Sequence, residues 1–123
     1  MSRSRPPDEL GSFRALTAKE MDILAPLLRA DFQGGSELAQ QVARGSARSL
    51  DANGSLEFAQ SDGPLAPVVR RIPVEAEAED QDGVVIHVLL HVVDGEMREL
   101  EVYREDSKPV IDLDPGRLRV MVL

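Results

Sequence analysis

The chain has 123 residues, of which 42% are hydrophobic; it has three Phe, one Tyr and no Trp or Cys. This length supports one domain, and the composition excludes a disordered or fibrous chain, a disulfide framework and a cysteine nucleophile. The formal net charge of −8 is the wrong sign for binding nucleic-acid phosphates, and aromatic residues are too few to stack bases.

The beginning of the chain predicts a tail rather than a targeting segment. The residues MSRSRPPDELGS contain no apolar core of the kind that signal peptides have. No apolar segment approaches the roughly 18 residues of a transmembrane helix, so we expect a cytoplasmic protein without membrane contact. Residues 1–13 are expected to form a flexible tail, and residues 14–123 a single domain.

Two helices are predicted in the first half of the domain. In the segment LTAKEM, Thr17 is placed as the N-cap and Glu20 as the partner of a capping box. Pro26 removes a backbone hydrogen bond, which predicts a kink or an early end of this helix. The second helix is predicted over 37–44, with Ser36 as its N-cap.

Strand patterns follow the helices. The segment DANG at 51–54 predicts a turn between two short strands, and VEAEAE at 74–79 alternates apolar and acidic residues. Asp-Gly pairs at 82–83 and 94–95 predict two hairpin turns. The C-terminal segments KPVIDL and RLRVMVL predict one or two further strands, either buried or free to extend a partner's sheet. We therefore predict an α+β fold, with two N-terminal helices packed on one face of an antiparallel β-meander of about five strands.

The motif HVLLH raises the possibility of a metal site. His87 and His91 are four residues apart, a spacing that on a helix directs two imidazoles to one ion. The segment around them is rich in valine and bounded by Asp-Gly at both ends, which favours a strand. In a strand the two histidines are about 13 Å apart, so they are not expected to share one ion.

The register of the hairpins follows from the apolar pattern. If each turn is a three-residue loop ending in a left-handed glycine, at Gly83 and Gly95, one sheet face is almost entirely apolar. In this arrangement Ala78 lies opposite Ile86, and Leu100 lies opposite Val88. We expect the helices to cover this face.

The opposite face carries the candidate functional residues. Glu77, His87 and Glu101 are predicted to form a row across three neighbouring strands. The row is compatible with a solvated surface, a protein-recognition surface, or an acid/base or metal site. The candidate partner-binding residues on this face are Glu75, Glu77, Val85, His87, Leu89, Met97, Glu99, Glu101 and Tyr103.

Two long segments, FRALTAKEMDILAPLLRADFQGGSEL and APVVRRIPVEAEAEDQDGVVIHVLLHVVDGEMRELEVYRED, resemble a family of uncharacterised bacterial proteins described as a domain of unknown function. Its members read R-P-L-T before a helix, and later V-x-D-G-x-(L/M)-x-x-L-E-(V/I)-Y in a hairpin. The resemblance covers most of 14–106 and implies a fold but no activity. Members carry a cysteine cluster where this chain reads GSARSLDANG, so a metal or redox role of those cysteines is not carried over.

Together these patterns predict a non-catalytic protein-interaction module that uses its acidic, apolar-striped sheet face. The partner would be either a basic protein, such as the toxin that an immunity-like protein neutralises, or a second copy of the chain. No cofactor, nucleic acid or membrane partner is expected. The alternative is a small metal-binding protein or enzyme centred on Glu77, His87 and Glu101.

Overall fold

The computed structural model describes residues 11–60 and 62–123, and the predicted tail lies outside them up to position 10. The α-helices and strands are α1 Ala18–Leu28, α2 Gly35–Arg44, β1 Ala47–Ser49, β2 Leu56–Phe58, β3 Val74–Glu79, β4 Val85–Val93, β5 Glu96–Arg104 and β6 Arg119–Val122. The α+β prediction is confirmed: the two α-helices accompany an antiparallel sheet with strand order β1-β2-β5-β4-β3-β6. The sheet has six strands rather than about five, and only β3, β4 and β5 form a meander.

The predicted capping box of α1 is confirmed. The Glu20 N–H donates to Thr17 Oγ1 at 3.2 Å, and the Thr17 N–H donates to Glu20 Oε1 at 2.8 Å. Pro26 lies inside α1, which ends two residues later at Leu28. The two bonds of the capping box satisfy N–H donors that a helix otherwise leaves unpaired in its first turn.

The predicted N-cap of α2 is wrong. The helix begins two residues earlier than predicted, and its N-cap is Gly34, which makes no side-chain cap bond. Gly34 has φ +100°, and a Cβ atom there would lie 2.6 Å from the Val68 side chain. The chain therefore turns where only glycine fits. Ser36 instead donates to Glu37 Oε1.

The helices bury the apolar face of the sheet, as predicted. On β3, on β4 and on β5 from Leu100 onward, the buried side chains occupy alternate positions, so they point to the same side. Burying each large aliphatic side chain contributes about 1.5–3 kcal/mol. The fully buried large side chains of this core are Leu24, Leu27, Leu38, Leu56, Ile86, Leu90, Leu100, Val74, Val88 and Val102.

The register predictions for the two long hairpins had different outcomes. Between β3 and β4 the prediction is confirmed: Ala78 lies opposite Ile86, and Gly83 has φ +86°. Between β4 and β5 the predicted register is wrong by two residues, because Leu100 lies opposite Leu90 rather than Val88. From Leu100 to Arg104 the same side chains still face the helices as in the predicted register, since a shift of two preserves the alternation.

The corrected register has two causes. Val93 pairs with Glu96, so Asp94 and Gly95 form a two-residue turn with φ 53° and 79°. The register then shifts between His91 and Val92, as in a β-bulge. Each change displaces the pairing by one residue relative to the predicted loop, and the two add to the observed shift.

Met97 lies on the turn side of this bulge and therefore faces the helices. It pairs with Val92 and is only 4% exposed. Gln41 of α2 holds the bulged segment: its Oε1 accepts the Met97 N–H at 3.0 Å, and its Nε2 donates to the Gly95 carbonyl at 2.8 Å. The prediction that Met97 belongs to the binding face is wrong, because the bulge reverses its direction.

Candidate protein-binding face

The outer face is the sheet face opposite the helices, and it contains eight of the nine predicted site residues. All eight of these residues are half-buried. Their alternation with the buried core residues along each strand places them there. The outer face is defined by Glu75, Glu77, Val85, His87, Leu89, His91, Glu99, Glu101 and Tyr103.

The predicted row of Glu77, His87 and Glu101 is wrong in its third member. Glu77 lies opposite His87, as expected, but the residue on the other side of His87 is Tyr103. The two rings stack with centroids 5.0 Å apart and planes inclined by 24°. Glu105 Oε1 lies 3.3 Å from His87 Nε2. His87 is thus part of an aromatic pair flanked by carboxylates.

Glu101 instead joins a second histidine, His91. His91 Nε2 lies 2.8 Å from Glu101 Oε1, and Arg71 Nε donates to His91 Nδ1 at 3.2 Å. Because Nδ1 accepts this bond, the neutral ring carries its hydrogen on Nε2 and donates it to Glu101. Sequence reasoning assigned His91 no role, since the two-residue error in register separated it from Glu101.

His91, Glu99 and Glu101 are also the candidate metal ligands of the described chain. Their ligand atoms all lie within 4.8 Å of one another. A metal-bound histidine, however, normally donates its second ring N–H to an acceptor. Here the second nitrogen receives a hydrogen bond from Arg71. Metal binding at Nε2 would therefore require Arg71 to move and the ring to change tautomer.

An open groove of about 510 Å³ runs beside Tyr103, one member of the aromatic pair. Leu89 and Tyr103 form an apolar floor, with Glu101 beside them. The walls come from the β1–β2 turn, which includes Asn53, and from the loop that includes Lys108. Sequence reasoning missed this groove because its walls are distant in sequence from its floor.

A buried ion cluster fixes the loop that forms one wall of the groove. Arg104 is 3% exposed and donates to Asp80, Asp82 and Asp106 at 2.7–3.1 Å. Asp80 also accepts the N–H groups of Ile111 and Asp112 at 2.7 and 2.9 Å. Burial raises the pKa of Asp80, but the backbone N–H donors and Arg104 outweigh it and lower that pKa to about 2.

Carboxylates dominate the charge of this side of the sheet. Arg48 pairs with Glu57, and Arg119 pairs with both Glu77 and Glu79. Burial and the nearby carboxylates raise the pKa of Tyr103. The seven described glutamates on this side are Glu57, Glu75, Glu77, Glu79, Glu99, Glu101 and Glu105. They outnumber the basic residues that contact this side, which are Arg48, Arg71, Arg119 and, at the groove, Lys108.

Comparison with known proteins gives a family but no activity. The model of a family described as a domain of unknown function, DUF6984, matches residues 13–114. No curated protein and no solved structure matches the chain. Within the described residues, no helix is both long and apolar enough to cross a membrane.

Proposed function

The chain belongs to the DUF6984 family, and we propose that it is a non-catalytic interaction module whose outer face binds a basic protein. The observation that carries the proposal is the stacked pair of His87 and Tyr103, beside Leu89, within a surround of carboxylates. Protein interfaces share this plan of an apolar, aromatic centre and a polar rim. Aromatic anchors of this kind often carry much of the binding energy.

Charge complementarity favours a basic partner. The glutamates of this side outnumber its arginines and Lys108 together, and Arg119 already has its own carboxylate partners. An arginine or lysine of the partner can lie in the groove, with its alkyl chain on Leu89 and its charge beside Glu101. The Tyr103 ring offers such a cation a negative face.

Charge reversal on the outer face tests this proposal. The variant carrying Glu75→Lys and Glu77→Lys is compared with a control carrying Asp22→Lys and Asp31→Lys, exposed positions in and after α1. The probe is an extended peptide of alternating arginine and valine, titrated calorimetrically at low and high salt. We expect the wild type and the control to bind it and the outer-face variant to lose at least about tenfold in affinity.

The same proteins are then used to capture partners from a lysate of the source organism. A basic protein retained by the wild type and the control, and lost with the outer-face variant, supports the proposal. Equal binding by all three proteins would place the interaction elsewhere. Failure of the wild type to bind either the peptide or a basic protein would overturn the proposal. Thermal unfolding of each variant verifies that it remains folded.

A second candidate function is metal binding at His91, Glu99 and Glu101, favoured by the proximity of their ligand atoms. One imidazole and two carboxylates suit Zn²⁺ or Mn²⁺. Calorimetric titration with Zn²⁺ tests it in the wild type, His91→Ala and the control His87→Ala. Binding that is lost only in His91→Ala would favour this function. Identical titrations of the three proteins would exclude the site.

A further inference from the structure

The two edges of the sheet differ in how they end. At the β1 edge, Arg14 and Ala47 exchange two backbone hydrogen bonds of 2.9 and 2.8 Å, so the preceding segment covers part of that strand. At the other edge lies β6, and no strand within the described residues pairs with its far side. An uncovered edge strand is a template for pairing with another strand.

The direction of each backbone group of β6 follows from the ladder. The Leu123 N–H donates to the Pro73 carbonyl at 2.9 Å, so the hydrogen-bonded positions facing β3 are Leu123, Met121 and Arg119. The N–H and C=O groups of Val120 and Val122 therefore point away from β3. Just after β3, the Asp80 N–H donates to the Val84 carbonyl on the β4 side. Even-numbered residues of β3 therefore bond to β4 and odd-numbered residues bond to β6, which agrees with the directions in β6.

The side chains of β6 leave this edge unprotected. Met121, Val122 and Leu123 are 41%, 47% and 46% exposed, although they are large apolar residues. Natural edge strands are usually protected by a lysine, a proline, a bulge or an inward-pointing charge. In β6 the sole charge is Arg119, which is bound to Glu77 and Glu79 of the neighbouring strand.

We infer that β6 pairs antiparallel with β6 of a second copy, about a two-fold axis at Met121. In this register Val120 lies opposite Val122 of the other copy, and Met121 lies opposite its own symmetry mate. All the outward N–H and C=O groups of the two valines then form hydrogen bonds. The strand is self-complementary, as a two-fold interface requires.

Pairing in this way also arranges the outer faces. The two-fold axis is perpendicular to the sheet, so both helical layers lie on one side and both outer faces on the other. The two sheets become continuous. A dimer would thus present two acidic faces in one plane, able to engage one large or repetitive basic partner at two points.

A disulfide at Met121 tests the register. The chain has no cysteine, so Met121→Cys introduces a single thiol. Facing residues at a non-hydrogen-bonded position have Cα atoms about 4.5 Å apart, within the range a disulfide spans. We expect mild oxidation to convert this variant to a covalent dimer, while Val69→Cys, at a fully exposed position of a loop, remains largely monomeric. Equal cross-linking of the two variants would overturn the register.

The unmodified edge is tested by sedimentation equilibrium over concentrations up to about 1 mM, because such a small interface is expected to be weak. We expect the mass to rise from 13.5 kDa toward twice that value. Val122→Pro removes an outward N–H without affecting a bond to β3, so it should keep the fold and prevent dimerisation. A wild type that stays monomeric throughout, or a Val122→Pro variant that dimerises equally well, would overturn the inference.

Discussion

Asp80 and Arg104 form a buried ion pair beneath the loop that walls the groove. Neither side chain is more than 3% exposed, and their atoms Oδ2 and Nη1 are 3.0 Å apart. Burying charges is costly unless every hydrogen-bonding group has a partner. Asp80 meets this condition through Gln81, Ile111 and Asp112, whose N–H groups it accepts. At the scale of single residues, this ion pair thus holds the loop that forms one wall of the groove against the sheet.

Asp80→Ala is expected to destabilise the protein by about 3 kcal/mol or more, because it leaves the N–H groups of Ile111 and Asp112 without their acceptor and removes one of the three carboxylates that pair with the buried Arg104. The free energy of unfolding is measured by urea denaturation. Lys19→Ala is the control, since it breaks an exposed ion pair with Asp112 of 2.9 Å and should cost less than about 1 kcal/mol. Similar losses in both variants would contradict this account of Asp80.

The same cluster predicts the response to acid. The pKa of Asp80 and that of Asp106 are lowered from 3.8 to about 2 in the folded protein. Their contribution to stability is therefore complete above pH 3.8 and is lost as the pH falls toward 2. Urea denaturation between pH 6 and pH 2 should show this loss, and Asp80→Asn should make it less steep. A stability independent of pH below 3.8 would contradict the prediction.

At the scale of elements, the starts of the two helices can be compared directly. Thr17→Ala removes a side-chain acceptor from α1 and should cost about 1 kcal/mol. Ser36→Ala removes a hydroxyl that makes no cap bond in α2, so it should change stability by less than about 0.5 kcal/mol. Thermal unfolding of the two variants measures the difference. An equal effect would mean that Ser36 caps α2 in solution.

The two hairpin turns offer a second comparison. Gly83 and Gly95 both have positive φ, so alanine should cost roughly 1 kcal/mol at either site from backbone strain. A Cβ at Gly83 meets nothing within 4 Å, whereas at Gly95 it lies 2.9 Å from the Ala66 carbonyl oxygen. We therefore expect Gly95→Ala to be clearly more destabilising in urea. Equal losses would show that the segment around Ala66 moves easily to accommodate the added Cβ atom.

At the scale of the whole molecule, the charge of −8 acts oppositely on the two proposed surfaces. Added salt weakens attraction between the outer face and a basic partner, but it also screens repulsion between two acidic copies. Raising the salt concentration should thus lower affinity for the arginine–valine peptide and favour dimerisation through β6. Calorimetry and sedimentation equilibrium in the same buffers measure both. If both interactions weaken together, the dimer is not held by backbone and apolar contacts.

Outside the bulge at Met97, the sequence alone determined which strand side chains face the helices and which face outward. Alternation in β3 and β4, the capping box at Thr17 and the turn at Gly83 each depend on neighbours within a few residues. Such local chemistry can be read from the sequence because successive side chains of a strand point to opposite faces of the sheet, and because a cap involves only one helical turn. For the same reason, the sequence could predict that the acidic residues of the outer face lie together on the side of the sheet away from the helices.

Only the tertiary structure decided which outer-face residues meet. A two-residue shift between β4 and β5 leaves every core side chain inward, so the apolar pattern cannot distinguish the two registers. The choice depends on distant contacts, in which Gln41 binds Met97 and Gly95. Those contacts turn Met97 inward and bring Glu101 to His91 instead of His87. Alternation determines the face of a residue, whereas packing between elements determines its neighbours.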